Sequence, residues 1–196
     1  AGERVALNLL GRLCGIATAT RKFVDRVAGT NATIVDTRKT TPLLRILEKM
    51  AVRAGGGANH RMGLYDAVLI KDNHIRAVGS AHDAVLRARQ YAGANRSLEV
   101  EIDDLADLER VIEAGADIVL LDNMPPTLIR IAVTQAAGRC TLEASGGITL
   151  ESVREVAETG VDSISVGCIT HSASSLDVAL DFEVPRSALR ARRTHD

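Results

Sequence analysis

The residues best suited to bind a charged ligand are concentrated between positions 36 and 73. This stretch is rich in arginine and lysine and carries three consecutive glycines at positions 55–57. Guanidinium groups bind carboxylates and phosphates through paired hydrogen bonds, and ammonium groups bind them as point charges. The stretch therefore predicts a site for a ligand with several negative charges, built from Arg38, Lys39, Arg61 and Lys71. Arg45 and Arg53 follow a helical pattern, so solvated helix charge is an alternative for them.

Two carboxylates come directly after or within apolar runs further along the chain. They are Glu101 and Asp122. Such groups can bind Mg²⁺, accept hydrogen bonds from ribose hydroxyls or stabilise a cationic sugar carbon. A salt bridge to a neighbouring cation is the structural alternative for Glu101, and the two roles are compatible.

Two glycine-containing turns follow the last two apolar runs. Ser145, Gly146 and Gly147 form the first, and Gly167 begins the second. Backbone N–H groups in such turns bind phosphate in many β/α barrels, and tight turns alone are the alternative. The histidines His60, His74 and His171 lack the spacing of a metal-binding motif, which favours a structural or phosphate-contacting role for each.

The composition excludes several classes of partner. The formal net charge is -1, with 24 Lys+Arg and 25 Asp+Glu, so neither nucleic acid nor an anionic membrane is expected to bind. There is no Trp, and there are only two Tyr and two Phe to stack on bases. No apolar run approaches the roughly 20 residues that span a bilayer. Three scattered cysteines indicate reduced thiols in a cytoplasmic protein.

Short apolar runs alternate with helical patterns, which predicts an α/β protein with parallel strands. The favoured architecture is an incomplete, open parallel β/α barrel of six or seven strands that resembles a TIM barrel. An open doubly wound sheet is the alternative. The predicted strands are 32–35, 67–70, 98–102, 118–121, 141–144 and 163–166, with a possible seventh at 178–182.

The predicted organisation has three parts. Positions 1–30 form N-terminal linking helices, 31–185 the barrel, and 186–196 a basic tail. We expect Gly15 to interrupt the first helix and Pro42 to open the helix that ends at Gly55. In a barrel, the residues that follow each strand share one mouth, so all the candidate groups above should meet there.

Five segments in this order resemble one family, quinolinate phosphoribosyltransferase. They are DTRKTTP at 36–42, GGGANHR at 55–61, LIKDNH at 69–74, LLDN at 120–123 and EASGGI at 143–148. The opening segment at 2–8 also matches, and the resemblance extends to about Asp181. Leu43 stands where the family usually has glycine, and Met50 where it often has tyrosine. We expect both departures to be changes in packing.

The resemblance implies a reaction between quinolinate and phosphoribosyl pyrophosphate that yields nicotinate mononucleotide, pyrophosphate and carbon dioxide, a step of NAD biosynthesis. It also implies a cytoplasmic homodimer or higher homo-oligomer that uses Mg²⁺. The family has an N-terminal α/β domain, which is expected to be absent here; in the family it covers the partner's barrel and lends an arginine.

The resemblance also assigns roles to the candidate residues. Arg38, His60, Arg61 and Lys71 would hold the carboxylates of quinolinate, with Thr37 and Lys39 in the same site. Glu101 and Asp122 would face the ribose and its Mg²⁺, with contact to the ion either direct or through water. Ser145, Gly146, Gly147, Gly167 and His171 would bind phosphates, and Lys39, Lys71, Glu101 and Asp122 would be catalytic.

Two other functions remain open at this point. One is a relative that acts on another pyridine acid, such as nicotinate, or the related protein encoded with molybdenum transport genes. The other is a non-catalytic barrel that binds phosphate as a sensor. The number of cations favours a substrate with two carboxylates, and a sensor would not need both Glu101 and Asp122.

Overall fold

The described residues of the protein contain six parallel strands, as the sequence predicts. A computed structural model of the chain describes residues 2–93 and 95–181. Each observed strand lies within one residue of its predicted bounds. The strands are β1 Thr33–Val35, β2 Val68–Ile70, β3 Leu98–Ile102, β4 Ile118–Asp122, β5 Thr141–Ser145 and β6 Ser163–Ser165.

Helices connect the strands and pack on the outer face of the sheet. A single 3-10 turn, Leu105–Asp107, precedes one of them. None of the helices within the described residues is both long and apolar enough to cross a bilayer. The helices are α1 Gly2–Arg26, α2 Arg45–Ala54, α3 Asp72–Val78, α4 Ala81–Ala92, α5 Leu108–Glu113, α6 Pro126–Ala136, α7 Val153–Ala157 and α8 Cys168–His171.

The strand order is that of an incomplete barrel. The order across the sheet is β1-β6-β5-β4-β3-β2, so each strand from β2 to β5 lies beside its successor, and β6 lies beside β1. A doubly wound sheet would reverse direction at a switch point, and this alternative is therefore wrong. The sheet stays open between β1 and β2. Ala58 pairs with Val35 on that side, which places the segment after the three glycines in the gap.

The possible seventh strand is not observed in the part of 178–182 that the structure describes, which ends at 181. The chain before it instead crosses α1, where the Leu176 N–H donates to the Gly11 carbonyl at 3.0 Å. A Cβ on Gly15 would overlap the Ser174 backbone. Gly15 therefore permits close packing and does not interrupt α1, which is continuous. The predicted basic tail at 186–196 lies outside the described residues.

The start of α2 also differs from the prediction. Leu43 adopts φ 67°, a left-handed conformation, and the helix begins only at Arg45, so Pro42 does not open it. A branched side chain is strained at such a φ, whereas glycine is not. Leu43 is also fully exposed, so its setting is decided by backbone conformation, and the expectation of a simple packing change there is wrong.

The two faces of the sheet have different chemistry because side chains alternate along a strand. Outward-facing residues such as Val100, Leu121 and Ile164 are fully or almost fully buried against the helices and form the core. The inner face is polar instead. Glu101, Asp122, Glu143 and Ser165 line the same cavity, so the inside of this barrel holds a cavity with polar walls and not an apolar core.

Candidate active site

The carboxyl ends of the strands surround one cavity of about 700 Å³. The structure brings into its lining every residue to which the resemblance assigned a role in the site. These are Thr37, Arg38, Lys39, His60, Arg61, Lys71, Glu101, Asp122, Ser145, Gly146, Gly147, Gly167 and His171. Parallel strands with short loops place the residues that follow each strand at one end, which is why segments far apart in sequence meet here.

Asp36, which directly follows β1, is a structural residue beneath this cavity. Its carboxylate is fully buried and forms an ion pair with Lys49, which is 1% exposed. It also accepts hydrogen bonds from the Asn59 side chain at 2.6 Å and from the His60 N–H at 2.8 Å. Asp36 therefore fixes the segment in the barrel gap and positions His60 and Arg61 at the cavity.

Two arginines, Arg38 and Arg61, lie close enough at the cavity for the charge of one to act on the other. The Nε atoms of Arg38 and Arg61 are buried, and neither has a hydrogen-bond partner among the described residues. Burial lowers the pKa of Arg61, and the charge of Arg38 lowers it further. Two guanidinium groups with unsatisfied donors indicate a site for an anion.

Lys71 and Glu101 form an ion pair at the rim of the cavity. The Lys71 side chain is 49% exposed, so solvent and ligands can reach the pair. Asp122, on the next strand, accepts a hydrogen bond from the Asn123 side chain at 2.8 Å. The structural alternative for Glu101, a salt bridge to a cation of the mouth, is thus observed.

The carboxylates of Glu101 and Asp122 are also the groups here that suit Mg²⁺. Both are partly exposed and face the cavity. Mg²⁺ prefers oxygen ligands and is typically bound by one or two carboxylates together with the phosphates of a substrate. The residues present therefore fit such an ion.

The glycine turns bring backbone close to the cavity. Gly146 has φ 96°, and a Cβ there would overlap the Asn123 side chain. In the turn after the neighbouring strand β6, Gly167 lies against both His171 and the aliphatic part of Lys39. The Thr170 hydroxyl donates to the Lys39 carbonyl at 2.8 Å and connects the loop after β1 to the turn after β6.

His60 makes two contacts within the protein. Its Nδ1 accepts a hydrogen bond from the Arg61 N–H at 2.8 Å, so Nε2 carries the ring proton and donates to Glu99 at 2.8 Å. Burial lowers the pKa of His60, but the hydrogen bond and charge of Glu99 and the charge of Glu143 raise it overall. With both nitrogens engaged, His60 positions Arg61, and its contact with a substrate carboxylate stays a prediction.

Sequence reasoning missed the two glutamates beside His60. Glu99 and Glu143 are 3% and 4% exposed, and one oxygen of each lacks a hydrogen-bond partner within the described ranges. The alternation of side chains along a strand could have identified them, because Glu99 lies two residues before Glu101 and therefore on the same face. Burial and repulsion by Glu99 raise the pKa of Glu143 to about 7.

Three further charged or histidine residues singled out in the sequence do not line the cavity. The Arg45 guanidinium donates to Thr40 at 3.0 Å and to the Met62 carbonyl at 3.2 Å, so it joins two loops. Arg53 is exposed, in line with solvated helix charge. His74 accepts the Lys71 N–H at 2.9 Å and does not line the cavity.

Relatives in sequence are similar over nearly the whole chain. A probable nicotinate-nucleotide pyrophosphorylase [carboxylating] of Bacillus subtilis is 53% identical over 188 residues, which cover 96% of this chain and 65% of that protein. The nicotinate-nucleotide pyrophosphorylase [carboxylating] of Mycobacterium leprae is 50% identical, over 92% of this chain and 64% of that protein. The chain thus spans slightly less than two thirds of these relatives.

Solved structures give the same result. The nicotinate-nucleotide pyrophosphorylase of Ehrlichia chaffeensis is 46% identical with a TM-score of 0.88, covering 92% of this chain and 66% of that one. That of Francisella tularensis is 47% identical with a TM-score of 0.86, covering 89% and 62%. The family model described as quinolinate phosphoribosyl transferase, C-terminal domain, matches residues 16–181, and the chain therefore belongs to this family.

Proposed function

We propose that this chain is the catalytic barrel of an enzyme that transfers phosphoribose from phosphoribosyl pyrophosphate to quinolinate. Decarboxylation follows, and the products are nicotinate mononucleotide, pyrophosphate and carbon dioxide, a step of NAD biosynthesis. The observation that carries the proposal is the pair Arg38 and Arg61, whose buried Nε atoms have no partner among the described residues. Quinolinate, with two adjacent carboxylates, supplies the acceptors that these donors lack.

The cavity divides the substrates by charge. Arg38, Arg61 and Lys71 would bind the carboxylates, with Thr37 and Lys39 beside them. Across the mouth, Gly146, Gly147 and Gly167, with Ser145 and His171, would bind phosphate through backbone N–H groups and side-chain donors. This division brings the ring nitrogen of quinolinate toward the anomeric carbon between the two sites.

Glu101 and Asp122 lie between these two sites and would act on the ribose. As pyrophosphate leaves, positive charge develops on the anomeric carbon, and fixed carboxylates stabilise that charge more in the transition state than in the ground state. Glu101 and Asp122 would also hold Mg²⁺, directly or through water, and the ion would offset charge on the departing pyrophosphate. After transfer, the cationic ring nitrogen stabilises the carbanion left by carbon dioxide.

A second pyridine acid is the competing substrate. Nicotinate has one carboxylate, which one arginine satisfies, whereas Arg38, Arg61 and Lys71 all face the cavity. Carbon dioxide release from carboxyl-labelled quinolinate, measured with the complete gene product, decides between them. Release dependent on phosphoribosyl pyrophosphate supports the proposal. Turnover of nicotinate with inert quinolinate contradicts it.

We further propose that the active form is a cytoplasmic homodimer or higher homo-oligomer, completed by an N-terminal α/β domain of the kind found in the family. Large apolar side chains on and near α2 support an interface there, since Ile46, Met50, Leu64 and Tyr65 are each at least 62% exposed. Apolar exposure of this kind often marks an interaction surface. Sedimentation showing an active monomer would contradict the proposal.

A further inference from the structure

A buried carboxyl group at the floor of the cavity has no role in the proposed function as stated so far. Glu143 lies on β5, is 4% exposed and lines the same cavity as the cations that would bind quinolinate. Its Oε1 lies 3.7 Å from His60 Nε2 and has no hydrogen-bond partner in the described part of the chain. An unpaired oxygen at such depth is costly for a carboxylate, but a carboxylic acid can place its proton there.

Glu143 lies in a cluster with Glu99 and His60, and the contacts within this cluster decide which of the three side chains holds the additional proton. Glu99, His60 and Glu143 place one ligand atom each within 4.8 Å of one another. His60 already donates from Nε2 to Glu99 and accepts at Nδ1, so a second ring proton would face the Arg61 N–H. Two carboxylates this close repel, and a proton on Glu143 relieves the repulsion. The pKa of about 7 for Glu143 agrees with this placement.

We infer that Glu143 is the general acid that delivers a proton to the ring carbon from which carbon dioxide departs, and that Glu99 and His60 position it. This inference rests on the proposed function. The bond between the ring and the 2-carboxylate breaks, and its electron pair stays on the carbon beside the cationic nitrogen. That carbon takes the Glu143 proton, Glu143 becomes a carboxylate, and solvent returns the proton for the next turnover.

Other acids in the cavity are less suited to this step. The Glu101 carboxylate accepts from the Lys71 ammonium at the rim. His60 has both nitrogens engaged within the protein. Arg38 and Arg61 do not release protons in proteins near neutral pH. A general acid works best when its pKa lies near the working pH, and Glu143 meets this condition while facing the substrate side.

The first test replaces the acid and leaves its shape. In Glu143→Gln, measured in the complete gene product, we expect the rate of nicotinate mononucleotide formation to fall at least tenfold. Quinolinate affinity should stay within about threefold of the wild type, because the amide keeps the volume and removes no cation. A variant with unchanged turnover would overturn the inference, as would a stoichiometric divalent metal ion that the wild type retains and this variant loses.

The second test measures activity as a function of pH. A glutamate with only a structural role would not determine the pH at which activity falls. Activity of the wild type should fall as the pH rises through the pKa of Glu143, because the carboxylate has no proton to give. Groups that act on it are Glu99, which raises this pKa, and His60, Ser163 and Ser165, which lower it. Lys49 acts on His60 from α2.

Two control variants should shift this fall in activity, the alkaline limb of the pH profile, in opposite directions along the pH scale. Glu99→Gln removes a repelling charge, so the limb should shift to lower pH and turnover should recover in acid. Ser163→Ala removes a hydroxyl that donates to Glu143 at 3.3 Å, so the limb should shift to higher pH. An alkaline fall in activity that occurs at the same pH in both variants would contradict the assignment. So would an alkaline fall that persists in Glu143→Gln.

A binding measurement separates this inference from the proposed function. Calorimetric titration of quinolinate in buffers of different ionisation enthalpy should show proton uptake near pH 7.5 in the wild type, because a bound dianion favours the acid form of Glu143. The uptake should be lost in Glu143→Gln. Wild-type protein that neither binds nor converts quinolinate contradicts the proposed function. A different result would contradict only the role of Glu143. In that result the wild type converts quinolinate, and proton uptake on quinolinate binding is unchanged in Glu143→Gln.

Discussion

Two lysine–carboxylate pairs of the barrel have opposite surroundings. Asp36 and Lys49 are buried at 0% and 1% exposure, and each makes further hydrogen bonds to the segment at 59–60. Lys71 and Glu101 lie at the rim, where the lysine is half exposed. The buried pair is saturated by fixed partners, whereas a ligand can compete for the rim pair. An ion pair between a lysine and a carboxylate therefore builds the scaffold in one place and a binding surface in the other.

The largest effect should come from breaking the buried pair. Asp36→Ala leaves the Lys49 ammonium buried without its counter-charge, which typically costs about 3–5 kcal/mol of unfolding free energy. Urea denaturation measures this loss. The matched control is Asp25→Ala, which breaks the exposed pair with Arg21 and should change stability by less than about 1 kcal/mol. Equal effects of the two substitutions would show that burial does not distinguish these pairs.

The next largest effect should be on quinolinate binding. Arg61→Ala removes a partly buried cation from the anion site, and loss of such a charge-assisted contact costs about 2–5 kcal/mol of binding free energy. Phosphoribosyl pyrophosphate should bind nearly as before, because the proposed function places its phosphates at the glycine turns. Equilibrium titration of each ligand checks this, with the exposed Arg53→Ala as control. Similar losses for both ligands would mean that Arg61 serves the other substrate.

The carboxylates of the mouth should affect turnover more than binding. Glu101→Gln and Asp122→Asn keep size and remove charge, and we expect each to lower kcat more than tenfold, which is about 1.4 kcal/mol of barrier. Steady-state kinetics with separately measured quinolinate affinity tests the expectation. Asp103→Asn is the control, because Asp103 is exposed and does not line the cavity. A fall in affinity at unchanged kcat would show that Glu101 and Asp122 only orient the cations.

Most of the architecture could be predicted from the sequence because local signals agreed with the global fold. Apolar runs of four or five residues, separated by helical patterns, marked all six strands. The failures have definite causes. Leu43 adopts a left-handed conformation that nothing in the pattern indicates. Gly15 reads as a helix breaker, yet its role is to admit the Ser174 backbone, a contact between distant segments.

The site was predictable where residues follow strands and less so where they lie within them. Lys71 and Asp122 are at strand ends, which identifies them as candidates for chemistry. Glu99 and Glu143 are inside strands, and only the inward face of the barrel brings Glu143 into the cavity lining and Glu99 beside His60. Their proximity to His60 depends on the gap between β1 and β2, which positions the 58–61 segment. Sequence spacing does not encode that distance.

The smallest expected effect concerns the stability of the rim pair. In a double-mutant cycle of Lys71→Met and Glu101→Gln, the coupling in unfolding free energy should be below about 1 kcal/mol, because an exposed pair gains little over its hydrated charges. Added salt should reduce it further. The measurement is urea denaturation of the four proteins at two salt concentrations. A coupling above about 3 kcal/mol would make this pair structural, and the loss of turnover in Glu101→Gln would then reflect a disturbed fold. A small coupling together with a large loss of kcat would assign the charge of Glu101 to the reaction, in contrast to Asp36, whose charge serves the fold.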